Sequence, residues 1–288
     1  MALNNSLNVF FAVDKNYLIH FTVTLTSLLE NNKDLDLTVY IIHDMEDRRG
    51  LDNVVNYFNS NYNVIINLVF VDNSIFDNFQ ITLYISKATY FRLLFADILP
   101  KNIFSGLYLD CDTIVTGSLK ELTNPNFKDP QNCNEEKSIL AVCDKNEKVE
   151  IERLKSIGIY TNMYFNAGVM IINLKEWRDQ KVSDKLIEIA TKYKDNLMWW
   201  DQDVLNIFFR NKCGKLNSTY NEFPAKVLDI APLIIHFSGS SKPWHYFNNH
   251  PYKSIYRKYL FLTPFKNEKF EKVTIKKVIK KYILSFKY

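Results

Sequence analysis

Several features that would point to common enzyme classes are scarce or missing in this 288-residue sequence. It has only seven glycines, and no G-x-G-x-x-G pattern follows the first apolar run, which excludes a nicotinamide-dependent oxidoreductase of that type. The four cysteines form no C-x-x-C pair, so neither a zinc site nor a disulfide framework is indicated, and a reducing compartment is favoured. A formal net charge of +4 is too small to indicate a nucleic-acid surface.

Long hydrophobic runs are also missing. No apolar stretch is long enough to cross a bilayer. The N-terminal segment "MALNNSLNVFFAV" has no basic region and too short an apolar stretch for a signal peptide, so we expect a cytoplasmic protein. The composition, 47% hydrophobic and 24% charged, is that of a folded globular chain. A chain of this length is expected to form one core unit with an appendage.

Strand-like and helix-like patterns alternate along the chain. "LNVFFAVD" is a continuous apolar run typical of a buried strand, and Leu18, Phe21 and Leu25 then recur at helical spacing. This order predicts an α/β fold with a mostly parallel central sheet flanked by helices. The other predicted strands are "LDLTVYIIHD", "VIINLVFVD", "GLYLDCDTIVTGSL", "SILAVCD", "YFNAGVMIINL" and "PLIIHFSG", and the other predicted helices are "DRRGLDNVVNYFN", "SKATYFRLLFADI" (capped by Ser86), "SDKLIEIATKY" and "DQDVLNIFF".

Polar residues end several of these strands. Asp14, Asp110, Asp144 and His236 each follow an apolar run, and ligands of open α/β sheets bind beyond the carboxyl ends of the strands. We therefore expect these four side chains to gather on one rim of the sheet.

The stretch "LYLDCDTIV" interrupts an apolar run with two aspartates. In a strand, Asp110 and Asp112 face the same side while Cys111 points into the core, so the two carboxylates can converge on one ion. Oxygen ligands of this kind suit Mg²⁺ or Mn²⁺, which commonly share substrate phosphates. The alternative is that the two aspartates simply end the strand or cap a turn.

The stretch "IIHFSGSSKPWH" supplies a complementary set. His236 at a strand end offers an imidazole as a third ligand, which favours Mn²⁺. Gly239 allows the loop to approach phosphates closely, and Lys242 is a cation for a diphosphate. His236 as a purely structural histidine is the alternative. Together the two stretches predict a metal–diphosphate site.

The C-terminal segment has a different character. Residues 266–288 contain eight lysines and two glutamates, with apolar residues on one helical face and lysines on the other. We predict a basic amphipathic helix that lies on an anionic membrane surface, the alternative being a helix packed on the domain with solvated lysines. The chain accordingly divides into a catalytic domain, 1–264, and a tail, 265–288.

Six motifs in order make the sequence resemble the family 8 glycosyltransferases, which include bacterial lipooligosaccharide galactosyltransferases and lipopolysaccharide glucosyltransferases. They are "FFAVDKNY", "ATYFRLLFADILP", "LYLDCDTIV", "YFNAGVMIINLKEWR", "WWDQDVLN" and "HFSGSSKPWH". The resemblance implies a GT-A fold, a nucleotide-sugar donor (UDP-glucose or UDP-galactose), Mn²⁺ with Mg²⁺ as the alternative, and transfer with retention of the anomeric configuration.

The resemblance also implies a role for particular residues. The uracil and ribose are assigned to Ala12, Asp14, Asn16 and Tyr17. The metal is assigned to Asp110, Asp112 and His236, with Cys111 between the two aspartates lining the donor site. The donor sugar is assigned to Asn166, Ala167, Asp201 and Gln202, and the diphosphate to Gly239 and Lys242. Arg92 and Asp110 are assigned to the donor sugar or to its ribose side. The candidate catalytic residues are Gln202, Asp201, Asp144 and Arg92.

Several alternatives remain open from the sequence. Retention requires either a carboxylate nucleophile, with Asp144 and Asp201 as candidates, or attack on the same face guided by the departing phosphate, which we favour because Gln202 is a poor nucleophile. The acceptor is expected to be a glycan, glycolipid or glycoprotein bound by residues 210–260 and the connection after Asp144. A non-catalytic nucleotide-sugar or glycan-binding module is the alternative to an enzyme.

Overall fold

The computed structural model describes residues 5–77, 79, 87–128, 136–210 and 212–268. The strands are β1 (Ser6–Ala12), β2 (Asp36–His43), β3 (Ile65–Phe70), β4 (Ser105–Leu109), β5 (Thr113–Val115), β6 (Ile139–Cys143), β7 (Phe165–Asn173), β8 (Cys213–Lys215) and β9 (Ile234–His236). The α-helices are α1 (Leu18–Asn31), α2 (Arg49–Asn61), α3 (Phe95–Ile98), α4 (Glu147–Ser156), α5 (Leu174–Asp179), α6 (Val182–Lys192), α7 (Trp200–Phe209) and α8 (Lys253–Leu260).

The central sheet has seven strands in the order β3-β2-β1-β4-β7-β6-β8. Strands β3, β2, β1 and β4 are parallel neighbours, and β7 runs antiparallel to both β4 and β6. Because β7 is reversed, its first residues lie at the same edge of the sheet as the last residues of β4 and β6. The predicted α/β class with a mostly parallel sheet is confirmed.

Apolar side chains cover both faces of the sheet because successive strand residues point to opposite sides. Phe10 of β1 packs edge-on against Phe95 on one face, with ring centroids 5.7 Å apart, whereas Phe11 packs against Phe21 of α1 on the other, at 5.1 Å. All nine residues of β7 are buried, which explains why its sequence lacks alternation. The continuous apolar runs thus report a sheet covered on both sides.

The helix predicted over residues 86–98 has a different geometry. Residues Lys87–Leu94 form a 3-10 helix, and only Phe95–Ile98 is an α-helical turn. Thr89, Tyr90 and Phe91 are consecutive residues whose side chains lose rotamer freedom in an α-helix, so the local sequence resists the α conformation. The predicted cap, Ser86, lies outside the described residues.

A second, two-stranded sheet is formed by β5 and β9, with Thr113 opposite His236. The predicted strand over 106–119 is therefore wrong as a single element, because it is divided between the two sheets. Among the described residues, no helix is long and apolar enough to span a membrane. Most of the predicted basic tail, 269–288, lies outside the described residues, so its helical form and the 264/265 boundary stay predictions.

Candidate functional site

The two aspartates of "LDCDT" lie in the turn where the chain leaves the central sheet. The Asp110 N–H donates to the carbonyl of Gly168 (2.8 Å), which is the last bond to β7. The Thr113 hydroxyl then donates to the carbonyl of Asp110 (2.8 Å) and closes the turn. The expectation that Asp110 and Asp112 share a strand is therefore wrong. Their carboxylates converge because a tight turn, not a pleat, orients them.

The pairing of β5 with β9 brings His236 to this turn. The Phe237 N–H donates to the carbonyl of Asp112 (3.0 Å), which fixes the two segments side by side. His236 Nε2 lies 3.2 Å from Asp112 Oδ1 and 3.8 Å from Asp110 Oδ2. One ligand atom from each of Asp110, Asp112 and His236 lies within 4.8 Å of the other two. The structure thus brings together the three predicted metal ligands.

Two observations test whether this cluster fits a divalent cation. Asp112 Oδ1 is buried and accepts no hydrogen bond from any residue that the structure describes, which is costly unless a cation compensates it. A Cβ at Gly168 would lie 2.2 Å from His236 Cε1 and 2.7 Å from Asp110 Oδ2, so only glycine leaves room for the cluster. Two carboxylates and an imidazole suit Mn²⁺ or Mg²⁺, and the residues present fit such an ion.

Lys242 places a positive charge next to the cluster. Its ammonium contacts Asp112 Oδ2 and donates to the carbonyl of Phe237 (2.8 Å). Burial by itself would raise the pKa of Asp112, but the neighbouring positive charge, first of all that of Lys242, holds that pKa well below its usual range. Gly239, at φ +89°, gives the loop a left-handed turn that other residues rarely adopt. Asp112 is therefore ionised at neutral pH.

Arg92 lies on the opposite side of Asp110. Although only 5% exposed, it donates to Asp110 Oδ1 (2.9 Å) and to the carbonyl of Ala167 (2.8 Å), and its Nε lies 3.1 Å from Asp201 Oδ2. Burial would lower the pKa of Arg92, but the two carboxylates raise it. The arginine therefore stays charged and fixes the position of Asp110.

Asp201 is buried against Arg92. Burial raises its pKa to about 7, although Arg92 opposes the shift. Burial thus favours the neutral form of this carboxyl group more than in an exposed aspartate. Asp201 is only 4% exposed. It therefore contacts Arg92 and is not open to substrate.

A cluster of amide groups adjoins these charges. Gln202 Oε1 accepts from the Ala167 N–H and from Asn166 Nδ2, both at 3.0 Å. Asn166 Nδ2 and Gln202 Nε2 also point at Asp144 Oδ2, each at 3.3 Å. Four residues assigned to the donor sugar or to catalysis, namely Asp144, Asn166, Ala167 and Gln202, thus form one hydrogen-bonded group at the rim.

The loop after β1 borders the aspartate turn. Asp14 Oδ1 accepts from the N–H groups of Asn16 (2.7 Å) and Tyr17 (3.1 Å), and Cys111 Sγ lies 3.4 Å from the carbonyl of Ala12. The Tyr17 pKa is raised by burial and next by Asp112, and its ring packs edge-on against Trp244, with ring centroids 5.9 Å apart. The structure therefore brings together the residues assigned to the nucleotide, and their role stays a prediction.

Sequence reasoning missed three residues of this site. Gly168 could have been identified from the sequence, since it is the last residue of the motif fragment "FNAG". Tyr108, whose hydroxyl donates to Asp110 Oδ1 (2.5 Å) and whose ring lies 4.5 Å beneath Arg92, was hidden inside an apolar run. Asn221 is 1% exposed and lies 3.0 Å from His236 Nδ1, but no local pattern marks it.

Comparison with known proteins defines the class. The solved structure of galactosyltransferase LgtC with donor and acceptor sugar analogs matches with a TM-score of 0.79 at 24% identity, over 95% of this chain and 100% of LgtC. The structure of an active-site mutant of LgtC matches with a TM-score of 0.80 at 23% identity, over 94% and 98%. At such identities the likeness establishes the fold, and the GT-A arrangement of glycosyltransferases expected from the motifs is confirmed.

The family follows from sequence. The model of glycosyl transferase family 8 matches residues 8–248, and the chain belongs to that family. Lipopolysaccharide 1,2-glucosyltransferase of Escherichia coli is 28% identical, over 98% of this chain and 85% of the relative. Lipopolysaccharide 1,3-galactosyltransferase of Salmonella typhimurium is 29% identical, over 86% and 75%. The family predicted from the six motifs is confirmed.

The backbone of Gly168 lies close to the side chains of His236 and Asp110. Gly168→Ala places a methyl group within contact of His236 and Asp110, so we expect Mn²⁺ binding to weaken by at least about 10-fold, the scale of a disturbed ligand environment. Isothermal titration calorimetry measures this change.

Gly214→Ala is the matched control, because its Cβ would meet Leu140 Cδ2 at 2.6 Å, in β8, far from the cluster. Circular dichroism verifies that both variants fold. Unchanged Mn²⁺ affinity in folded Gly168→Ala would contradict the assignment of this cluster to the metal.

Proposed function

We propose that this protein is a retaining, metal-dependent hexosyltransferase that moves glucose or galactose from a UDP-sugar to a glycan acceptor. The observation that carries the proposal is the cluster of Asp110, Asp112 and His236, in which the buried Asp112 Oδ1 accepts no hydrogen bond from a described residue. The cluster lies beside a cation, Lys242, and beside the Arg92–Asp201 pair and the amide group. Metal, diphosphate and sugar recognition are thus supported within one rim.

The charges of the cluster indicate which part of the donor it binds. Asp110 and Asp112 offer carboxylate oxygens to a divalent ion, and such ions commonly share substrate phosphates. When bound, the metal supplies electrostatic stabilisation of the negative charge that develops on the UDP leaving group. Lys242 adds a positive charge on the same side, so the chain itself contributes to leaving-group stabilisation.

Hydrogen-bonding groups define the sugar end. Asp144, Asn166 and Gln202 contribute a carboxylate and two amides that hydrogen-bond to one another. The same donor and acceptor atoms can form hydrogen bonds with the hydroxyl groups of a bound sugar. Arg92 holds Asp110 and the Ala167 carbonyl in place, so it positions both the metal end and the sugar end. We infer that this arrangement orients the anomeric carbon next to the diphosphate.

For retention we favour attack on the same face as the leaving group. Gln202 is an amide, and Asp201 is buried in its contact with Arg92 with its pKa raised to about 7 by burial. Neither is a strong nucleophile, and Asp144 accepts hydrogen bonds from two amides. A glycosyl adduct on Asp144 or Asp201, detected by mass spectrometry of the enzyme mixed with donor, would contradict this mechanism.

A metal-dependence assay tests the proposed activity. We expect UDP release from UDP-glucose or UDP-galactose in the presence of Mn²⁺, and its loss in chelator. Asp112→Asn is expected to lower turnover by at least about 100-fold, the scale of a lost charge-stabilising group, and UDP-N-acetylglucosamine is the third donor to compare.

Asp179→Asn is the matched control, because this aspartate pairs with Lys175 on the exposed end of α5. Turnover of Asp112→Asn within a few-fold of wild type would contradict the metal assignment. Binding of UDP-sugar without turnover, under every acceptor supplied, would instead support a binding module on the same scaffold.

We further propose that the enzyme works on the cytoplasmic face of the membrane, with the basic tail on anionic lipid and a lipid-linked or cell-surface glycan as acceptor. The support is the distribution of lysines and apolar residues in 266–288 and the two relatives named for lipopolysaccharide.

Removal of residues 269–288 tests the tail. This truncation retains Phe265, which packs against the core, and we expect it to abolish sedimentation with anionic vesicles while UDP binding persists. Replacement of Lys276, Lys277, Lys280 and Lys281 by glutamine is the companion variant with full chain length, and neutral vesicles are the lipid control. Undiminished binding of the truncated protein to anionic vesicles would refute the tail hypothesis.

A further inference from the structure

A continuous series of hydrogen bonds, buried from Asn166 onward, links the sugar end of the site to the metal end. It runs from Asp144 through Asn166 and Asn221 to His236. Asn166 Nδ2 lies 3.3 Å from Asp144 Oδ2, Asn221 Nδ2 lies 3.0 Å from Asn166 Oδ1, and Asn221 Oδ1 lies 3.0 Å from His236 Nδ1. Asn166, Asn221 and His236 are 7%, 1% and 4% exposed, so water does not compete for these bonds.

Backbone groups fix the orientation of Asn166. Its Oδ1 accepts from the Gly168 N–H at 3.0 Å, and a backbone N–H can only donate. Its Nδ2 faces Gln202 Oε1 at 3.0 Å, which is itself fixed as an acceptor by the Ala167 N–H. The Asn166 amide therefore cannot be reversed without losing bonds at both ends.

The orientation of Asn166 determines that of Asn221. Because Asn166 presents its oxygen, the group of Asn221 that faces it must be the NH₂ group. Asn221 then presents its own oxygen to His236 Nδ1, and this nitrogen must carry a proton to complete the bond. In the neutral imidazole the other nitrogen, Nε2, is left with a lone pair, and that lone pair faces Asp112 Oδ1 at 3.2 Å.

We propose that Asn221 is a positioning residue that sets the tautomer of His236, so that Nε2 is ready to bind the metal. The inference rests on the proposed metal site. The same orientation leaves Nε2, which lies 3.2 Å from Asp112 Oδ1, able to share a cation with that oxygen. Groups that orient a metal-binding histidine typically change metal affinity by about 10–100-fold when lost.

The series also connects two functions of the site. The Asp144, Asn166 and Gln202 group, assigned to the sugar, and His236, assigned to the metal, share one set of amide orientations. Asn221 contacts His236 only at the ring nitrogen that faces away from Asp112, so a change at Asn221 is expected to disturb metal binding without removing a ligand.

The tautomer is measured directly by ¹⁵N NMR of histidine side chains in the metal-free protein. In the neutral imidazole we expect His236 to show a protonated Nδ1 and an unprotonated Nε2. The signals are assigned by their disappearance in His236→Gln. A wild-type spectrum with Nε2 protonated and Nδ1 bare would overturn the inference without the need for any further variant.

Two substitutions then separate positioning from packing. Asn221→Leu removes the acceptor, and we expect the Nε2-protonated tautomer to appear and Mn²⁺ affinity to fall by about 10–100-fold. Asn221→Asp keeps an acceptor for Nδ1, and we expect the Nδ1-protonated tautomer to persist, although loss of the donor to Asn166 Oδ1 lowers stability.

Asn32→Leu is the matched control, because Asn32 is also 1% exposed and hydrogen-bonded on both sides of its amide, far from His236. It is expected to lower stability and to leave tautomer and Mn²⁺ affinity unchanged. Wild-type Mn²⁺ affinity in folded Asn221→Leu would overturn the inference. Absence of Mn²⁺ binding in the wild type would refute the metal site of the proposed function, and the spectrum would still decide the tautomer on its own.

Discussion

The organisation of this rim depends on the need to compensate two neighbouring carboxylates, of which Asp112 is buried and Asp110 is partly exposed. Asp112 is 8% exposed, and an uncompensated buried charge is strongly destabilising. Arg92 forms an ion pair with Asp110, and Lys242 forms one with Oδ2 of Asp112. The other oxygen of Asp112, Oδ1, lies 3.2 Å from His236 Nε2. Asp112 Oδ1, which accepts no hydrogen bond from a described residue, is the feature that makes the cluster suited to a divalent cation.

The fold assembles these groups from segments that are distant in the sequence. Reversal of β7 places Asn166 and Gly168 at the rim that ends β4 and β6, and the small β5–β9 sheet attaches His236 to the aspartate turn. The absence of a side chain at Gly168 lets strand and imidazole approach each other. Substitutions in these strands therefore change the distances between the site residues, even where no proposed ligand is replaced.

The sequence predicted most of the sheet and its helices because continuous apolar runs and helical spacings are local signals. It could not locate the end of β4, since "LYLDCDTIV" stays apolar on both sides of the aspartates and the change of sheet depends on β9, which lies far along the chain. The same limit hid Asn221, whose importance arises from three-dimensional neighbours. The sequence did identify the residues whose side-chain type alone indicates metal or phosphate binding. These are Asp110, Asp112, His236 and Lys242.

Asp201 illustrates how context changes a residue that a motif identifies. In "WWDQDVLN" it is one of two aspartates that flank Gln202, and the motif alone does not distinguish a nucleophile from a supporting group. Burial raises its pKa to about 7 beside Arg92. We infer a supporting role, in which Asp201 helps hold the arginine that fixes Asp110.

Pulsed electron paramagnetic resonance of Mn²⁺ bound together with UDP tests the central claim most directly. The account predicts one bound Mn²⁺ with a magnetic coupling to an imidazole nitrogen, and the loss of that coupling in His236→Gln. Bound Mn²⁺ that shows no nitrogen coupling in the wild type, or the same coupling in His236→Gln, would contradict it.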